Sequence, residues 1–574
     1  MSQNDSELLH VAQAKFADLS VAEEQLFRAA QRGEIASGLS GDETQDDPAA
    51  AAHWGSSRVV RAKCITWLCT NIHASRLVTH RGVELVGFRI EDELDLSHAE
   101  VRFPLLIRNS ALTSRVLLLG TTLPMLSFIG SHINGLVADQ ANIAGSILLR
   151  AGFKCSGEIR LLNATIGGNL DFASGTISNP ESIALSADGA RIRGDVFFRD
   201  GFHCTGEIWF PGASVGGDFS CVAATVINSG ARAITAHGMR VEGAVLLNNS
   251  TFEGEVRLLG ATVGASIECQ STRFLNAGGR ALTLDSATVK GAVIIRQAAS
   301  VEGLFSATGV TIARGLQIRE LVSSQQLRLD LRDAKVSTLW DDQTAWPNIG
   351  NLYLDGFQYD RIFEGSYLDA KTRIEWLKRQ PPEMFLPQPY EHLAAALRRM
   401  GHERDAQQII IEKNRSRGRS AKFPKQEWWW YRFFGRAIGY GYRPWRALAA
   451  SLAIILFGTI IFATGFSNDL ISPSKENTEQ RKISDNITNG KRRFADDYPV
   501  FNPFTYSLES FIPLLRLDQN ESWQPNANRG GHIYLWRRSV TTGGLLRYYL
   551  WLHVIAGWIL TTLWVGAVTG LVKS

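Results

Sequence analysis

Gly157-Glu158-Ile159-Arg160-Leu161-Leu162-Asn163-Ala164-Thr165-Ile166-Gly167-Gly168 recurs as Gly206-Glu207-Ile208-Trp209-Phe210-Pro211-Gly212-Ala213-Ser214-Val215-Gly216-Gly217. It recurs again as Gly254-Glu255-Val256-Arg257-Leu258-Leu259-Gly260-Ala261-Thr262-Val263-Gly264, so the leading glycines stand 49 and then 48 residues apart. Gly145, Gly194, Gly243 and Gly291 keep the same interval. Two landmarks sharing one period mark an internal repeat. A beat of five runs inside it: Glu-Ile-Arg-Leu-Leu, Asn-Ala-Thr-Ile-Gly, Gly-Asn-Leu-Asp-Phe and Ala-Ser-Gly-Thr-Ile fill residues 158–177. Four pentads close one square coil. A looser stretch at 178–185 precedes a second coil, so two coils of about twenty residues plus an excursion account for the period. One coil cannot bury its few Ile, Leu and Phe side chains alone, whereas stacked coils form a continuous apolar column.

This predicts a mainly β fold: a right-handed β-helix with flanking α-helices and two C-terminal transmembrane helices. The solenoid is placed at residues 80–358, from Gly82–Ile90 to Leu352–Leu354. The units resemble a diverged pentapeptide-repeat β-helix. The Gly254–Ala261 unit resembles a family of bacterial membrane-anchored proteins often labelled "membrane-associated oxidoreductase", a resemblance that covers most of the chain. The oxidoreductase label finds no counterpart in the residues. There is no Gly-x-Gly-x-x-Gly after a strand and no Cys-x-x-Cys. The six cysteines read as buried and reduced. Cys155 and Cys204 share one repeat slot, and two coils of rise hold them roughly 10 Å apart, beyond disulfide reach.

Residues 1–79 are expected to form a helical cap, with helices at Glu7–Gln31 and Ser57–Cys69 and the stripe Val59, Val60, Ala62, Ile65, Leu68, Cys69 lying over the first coil. Residues 359–426 read as a helical hairpin and basic linker. Pro381, Pro382, Pro387 and Pro389 separate helices at Tyr367–Arg379 and Tyr390–Lys413, and Gly401 splits the second. Tyr390–Ala406 resembles a tetratricopeptide-like hairpin, read as a coupling element between solenoid and membrane.

Residues 447–468 and 548–572 carry no formal charge over 22 and 25 positions, enough to cross a bilayer. Before them, residues 427–446 form an aromatic interfacial segment. Trp428, Trp429, Trp430, Arg432 and Arg436, with the preceding Arg415, Arg417, Arg419 and Lys422, are expected to face anionic lipid headgroups. More than four hundred residues precede the first span without a secretory signal. The expectation is therefore a multi-pass protein of a bacterial inner membrane with both termini cytoplasmic and residues 469–547 outside. In that loop, 501–517 is apolar yet short and broken by proline. The plainer reading is an amphipathic helix on the outer leaflet. The other is a re-entrant segment, weakly resembling two-helix channels, in which Glu509, Asp518 or Glu521 would ring a pore in an oligomer. His553 reads as a hydrogen bonder between helices rather than a proton relay.

The net charge of +4 over 574 residues gives no pull toward nucleic acid, and no recognition module accompanies the basic run. His-Glu-x-x-His and the phosphate-binding Gly-rich loop are absent. Gly212-Ala213-Ser214-Val215-Gly216 fits the hydrolase Gly-x-Ser-x-Gly pattern but fills a repeat slot, so Ser214 reads as a corner serine. The functional expectation is a membrane-anchored scaffold without enzyme activity, cofactor or metal. Its expected partners are membrane lipids, a protein on the solenoid and further copies of the chain. The alternative is an ion channel or membrane-perturbing effector gated by the solenoid; an oxidoreductase comes third.

Overall fold

In the computed structural model, which describes residues 7–322, 324–419, 424, 428–474, 498–535 and 538–569, the repeat is a parallel β-solenoid of about 12 turns. One coil is made of the two-residue strands Thr122–Leu123, Leu126–Ser127, His132–Ile133 and Leu136–Val137. The next coil pairs with it in parallel, Ile143 against Leu123, Ile147 against Leu126, Cys155 against Ile133 and Ile159 against Leu136. Each strand sends one residue inward. Leu105, Leu126, Ile147, Leu170, Val196 and Phe219 follow one another up a single buried column.

The 49-residue period comes from coils of unequal length. Leu170 pairs with Val196 and Val196 with Phe219, steps of 26 and 23 residues. The longer step contains an eleven-residue strand with a register shift, at Thr176–Ser186, Thr225–Thr235 and Arg273–Thr283. At each, an asparagine (Asn179, Asn228, Asn276) closes the excursion by donating from Nδ2 to the carbonyl four residues on, at 2.7, 2.7 and 2.6 Å. Gly206, Gly254 and Gly303 lie against these asparagines at φ of +114°, +121° and +128°, where a Cβ would press on the asparagine carbonyl. The second glycine landmark has a different cause. Asn169 Oδ1 accepts the Asp195 N–H, Asp195 Oδ1 that of Asp218, and Asp218 Oδ1 that of Ala244, at 2.9, 2.8 and 2.7 Å. Any side chain at Gly194, Gly217 or Gly243 would overlap that ladder.

All six cysteines are free and buried. Cys155 and Cys204 flank Ile177 in successive coils. Burial pushes the thiols of Cys64, Cys69, Cys155 and Cys204 up to about 12.

Both ends of the stack are closed by side chains from helices. At the N-terminal end, α1 (Glu7–Lys15) and α2 (Val21–Arg32) replace the single expected helix, because Ser20 adopts an extended conformation and forms a capping box with Glu23. Val59 and Val60 are not helical as expected. Val59–Arg61 is a strand paired with Arg89–Glu91, and α3 (Ala62–Thr70) and α4 (Ile72–Leu77) follow. The edge of that strand is covered by the capping box itself. Ser20 Oγ donates to the Val59 carbonyl at 3.1 Å, and Glu23 Oε1 accepts the Arg61 N–H at 3.1 Å. Burial alone would raise the Glu23 carboxyl. Its bonds to the Arg61 side chain and to the backbone N–H groups of Ser20 and Arg61 outweigh that and hold it below its ordinary 4.5. A lowered folded-state pKa stabilises above the unfolded value and loses its effect as pH falls through the folded one. Hydrogen exchange at residues 59–61 is therefore expected to accelerate below about pH 4.5 in wild type, with no such step in Glu23→Gln.

At the other end the strands run to Ile362, past the expected boundary. After α5 (Ala370–Leu377), helix α6 (Pro387–Arg399) lies along the last strand, Gln358–Ile362. Pro387 and Pro389, expected to be spacers, stand in its first turn, where a missing N–H costs nothing. His392 Nε2 accepts the Tyr359 N–H at 2.8 Å, Gln388 Oε1 the Gly356 N–H at 3.1 Å, and Arg399 Nη2 donates to the Tyr359 carbonyl at 3.1 Å. Gly401, at φ +86°, turns the chain into α7 (Glu403–Arg419).

The chain divides into two compact units, Met1–Ile409 and Ile410–Ser574. The second contains α8 (Trp428–Ala437), α9 (Trp445–Ser467), α10 (Pro503–Phe511), α11 (Gln519–Ser522) and α12 (Thr542–Val568). Helices α9 and α12 are long and apolar enough to cross a membrane, and α12 begins six residues before the expected span. Their unpacked faces carry large apolar side chains: Leu452 and Phe457 are 56% and 58% exposed on α9, Leu552 and Trp558 66% and 56% on α12. A soluble helix pair would turn those residues inward.

Candidate functional site

The two long helices run antiparallel. Gly465, near the end of α9, lies beside Leu546 at the start of α12, while Ala447 and Ala567 share a cluster at the opposite end. Between them sits α10. Its start is fixed by Asn502, whose Oδ1 accepts the N–H groups of Phe504 and Thr505 at 3.0 and 3.2 Å, and by Pro503 at the first helical position. Tyr506, Ser507, Glu509, Ser510 and Phe511 are buried, and this helix lies against both long helices. Two glycines admit it. A Cβ at Gly557 would overlap the Phe511 carbonyl, and one at Gly458 would overlap Ser507 Oγ.

A polar bracket ties the three helices. Ser507 Oγ donates to the Ile455 carbonyl at 2.8 Å and lies 3.2 Å from His553 Nε2. His553 Nε2 lies 3.0 Å from the Ser507 carbonyl, so it carries the proton and donates there. Nδ1 is then free to accept from the Tyr549 hydroxyl at 3.4 Å. His553 on α12 thus bonds to Ser507 on α10.

The three candidate pore carboxylates differ in burial. Glu509 is buried, and its Oε2 accepts the N–H groups of Gln519 and Asn520 at 2.9 and 3.1 Å, the first turn of α11. Asp518 and Glu521 are exposed, Asp518 at φ +62°.

The basic residues do converge. Arg415 and Arg419 from α7, Tyr431, Arg432 and Arg436 from α8, and Arg446 from α9 line a chamber of about 320 Å³. Arg417 is exposed nearby on α7. Glu412 pairs with Arg415 at 3.4 Å and Arg419 at 3.9 Å, and Arg432 stacks over Trp428 at 4.8 Å. Burial, with the Tyr440 ring 5.0 Å away, pushes the Tyr431 hydroxyl up to about 12. Trp428, Arg432, Arg436 and Arg446 also border a second, apolar chamber of about 870 Å³ between α8, α9 and α12, with Trp429 on its rim. Lys422 and the side chain of Trp430 lie outside the described residues.

No family model, curated protein or solved structure matches this chain.

Among the described residues no group of three or more His, Cys, Asp or Glu could hold a metal ion. Ser214 occupies a two-residue strand with no helix after it, so no nucleophile elbow forms. Sequence reasoning missed Gly458 and Gly557 as notches, Ser507 as the central bonder, and the part of Arg446 and Tyr440 in the basic chamber. A glycine inside each otherwise bulky apolar helix was the one available signal.

Proposed function

We propose that the protein is a membrane-anchored scaffold. In this reading it is a multi-pass protein of a bacterial inner membrane, with both termini and the solenoid in the cytoplasm. The observation that carries the anchoring is the outward-facing apolar side of α9 and α12, opposite to what water demands. Orientation follows from the arginine cluster at the Arg446 end of the helix pair, which the positive-inside bias sets on the cytoplasmic side. The scaffold role is supported by the excursions at 176–186, 225–235 and 273–283, which recur on one face every second coil. Their exposed tips include Glu181, Arg232 and Arg280, giving a regular polar ridge suited to a protein partner. Oligomers through the helix pair belong to the same reading.

The second reading is a channel, favoured by the insertion of α10 between the spans. Bonding of Glu509 to the α11 backbone speaks against a conducting role for it in the single chain. Full-length protein should resist extraction from membranes by carbonate. It should give no current steps in planar bilayers, and should form discrete adducts from a photo-cross-linker at position 181. Release by carbonate removes the anchor; reproducible steps lost in Glu509→Gln replace the scaffold with the channel; no adducts from any ridge position removes the scaffold.

A further inference from the structure

We propose that the paired chambers beside α8 hold one anionic phospholipid per chain, with its phosphate in the arginine chamber and an acyl chain in the apolar one. The inference rests on the membrane placement above and goes beyond diffuse attraction between basic residues and a charged surface.

The geometry is that of an amphiphile. Four residues, Trp428, Arg432, Arg436 and Arg446, border both chambers, so a charged group and a hydrocarbon chain can be held across one shared wall. The larger chamber is lined by Phe433, Ile454, Ile559 and Leu560, which offer a phosphate nothing and an acyl chain an apolar contact surface. This argues for a lipid over free phosphate. The smaller chamber presents five guanidinium groups. Among the described residues, Glu412 is the one carboxylate paired with any of them. The site therefore keeps a surplus of positive charge that a zwitterionic headgroup, bringing its own ammonium, does not relieve. An anionic headgroup does, and one carrying two phosphates does so further. Guanidinium forks match phosphate oxygens two at a time, which selects arginine over lysine here. Arg432 is held in place by its stacking on Trp428.

The test uses the full-length protein in nanodiscs of phosphatidylcholine, alone or doped with cardiolipin or phosphatidylglycerol, followed by detergent release and native mass spectrometry. The expected result is one retained anionic lipid per chain, with cardiolipin preferred over phosphatidylglycerol and phosphatidylcholine not retained. At about 1 kcal/mol per basic residue, the double variant Arg432→Gln, Arg436→Gln should bind about thirtyfold more weakly. The lysine pair should restore only part of that loss. Millimolar inorganic phosphate should not displace the lipid. Carbonate extraction of the same variants separates the two ideas. Release of wild type from the membrane would defeat the anchoring itself. Retention in the membrane with no bound lipid, with phosphatidylcholine bound equally, or with displacement by phosphate would overturn the lipid site alone.

Discussion

Replacing Asp341 with alanine is expected to destabilise the last coils of the solenoid by about 3–5 kcal/mol, because it strands a buried guanidinium. Arg373, on α5, is fully buried and forms a two-pronged pair with Asp341, both bonds at 2.8 Å. Its Nε donates to the Tyr367 carbonyl at 2.6 Å, and Asp341 Oδ2 also accepts the Trp346 indole N–H at 2.8 Å. Truncation at position 341 leaves the charge, the indole and their desolvation in place with nothing to satisfy them. In a stack where each coil contacts its neighbours, the damage should be local. Hydrogen exchange should accelerate across residues 335–362 and remain unchanged near 122–148. The double variant Asp341→Leu, Arg373→Met, which removes both charges at similar volume, should recover most of the loss. Unchanged exchange in the single variant would show that the pair is not what holds α5 to the coils.

The second large effect is expected at Gly557. Leucine there must displace the Phe511 carbonyl, which is backbone and has no rotamer to escape into. Overpacking of this kind costs about 1–3 kcal/mol where side chains can adjust, and more where they cannot. Helix α10 should leave its place between α9 and α12. The detergent-solubilised variant should melt at lower temperature, and trypsin should cut faster at Arg516, an exposed residue just beyond α10. Leu552→Ala, on the outward face of the same helix, should change neither reading. A Gly557→Leu protein with wild-type melting and cleavage would mean that α10 does not need this notch.

The solenoid was legible because its rules are local and repeated. The glycines at 206 and 254 answer a backbone demand that returns every second coil, and those at 194, 217 and 243 make room for a side-chain ladder that returns every coil, so both demands are written into the sequence as a period. The alternation of 23- and 26-residue steps was visible as a looser stretch after Ile177. Where the reading slipped, tertiary pairing overrode local pattern. Val59 and Val60 fit a helical stripe, yet the open edge at Arg89–Glu91 draws them into a strand. The C-terminal site was less legible for the same reason. The notch that receives α10 is formed by Gly458 and Gly557, on different helices and far apart in sequence, and no window spans both. Glu509 stood out as an acid in an apolar segment. The N–H groups it accepts, ten and eleven residues on, depend on a turn at Asp518 in the left-handed region that composition does not announce. The arginines were recognised as basic, but that they meet around a single chamber depends on how α7, α8 and α9 are arranged.

The side chains that meet the first and last strands carry a consequence for how long this molecule can be. Parallel coils have no natural stopping point, since each one presents the same row of donors and acceptors that recruited it, and a bare terminus would welcome another molecule's terminus as readily as its own next turn. His392, Gln388 and Arg399 occupy that row at one extremity, and Ser20 and Glu23 do so at the other. Side chains placed in this way help to make the array finite, and they separate a discrete particle from the seed of a fibre.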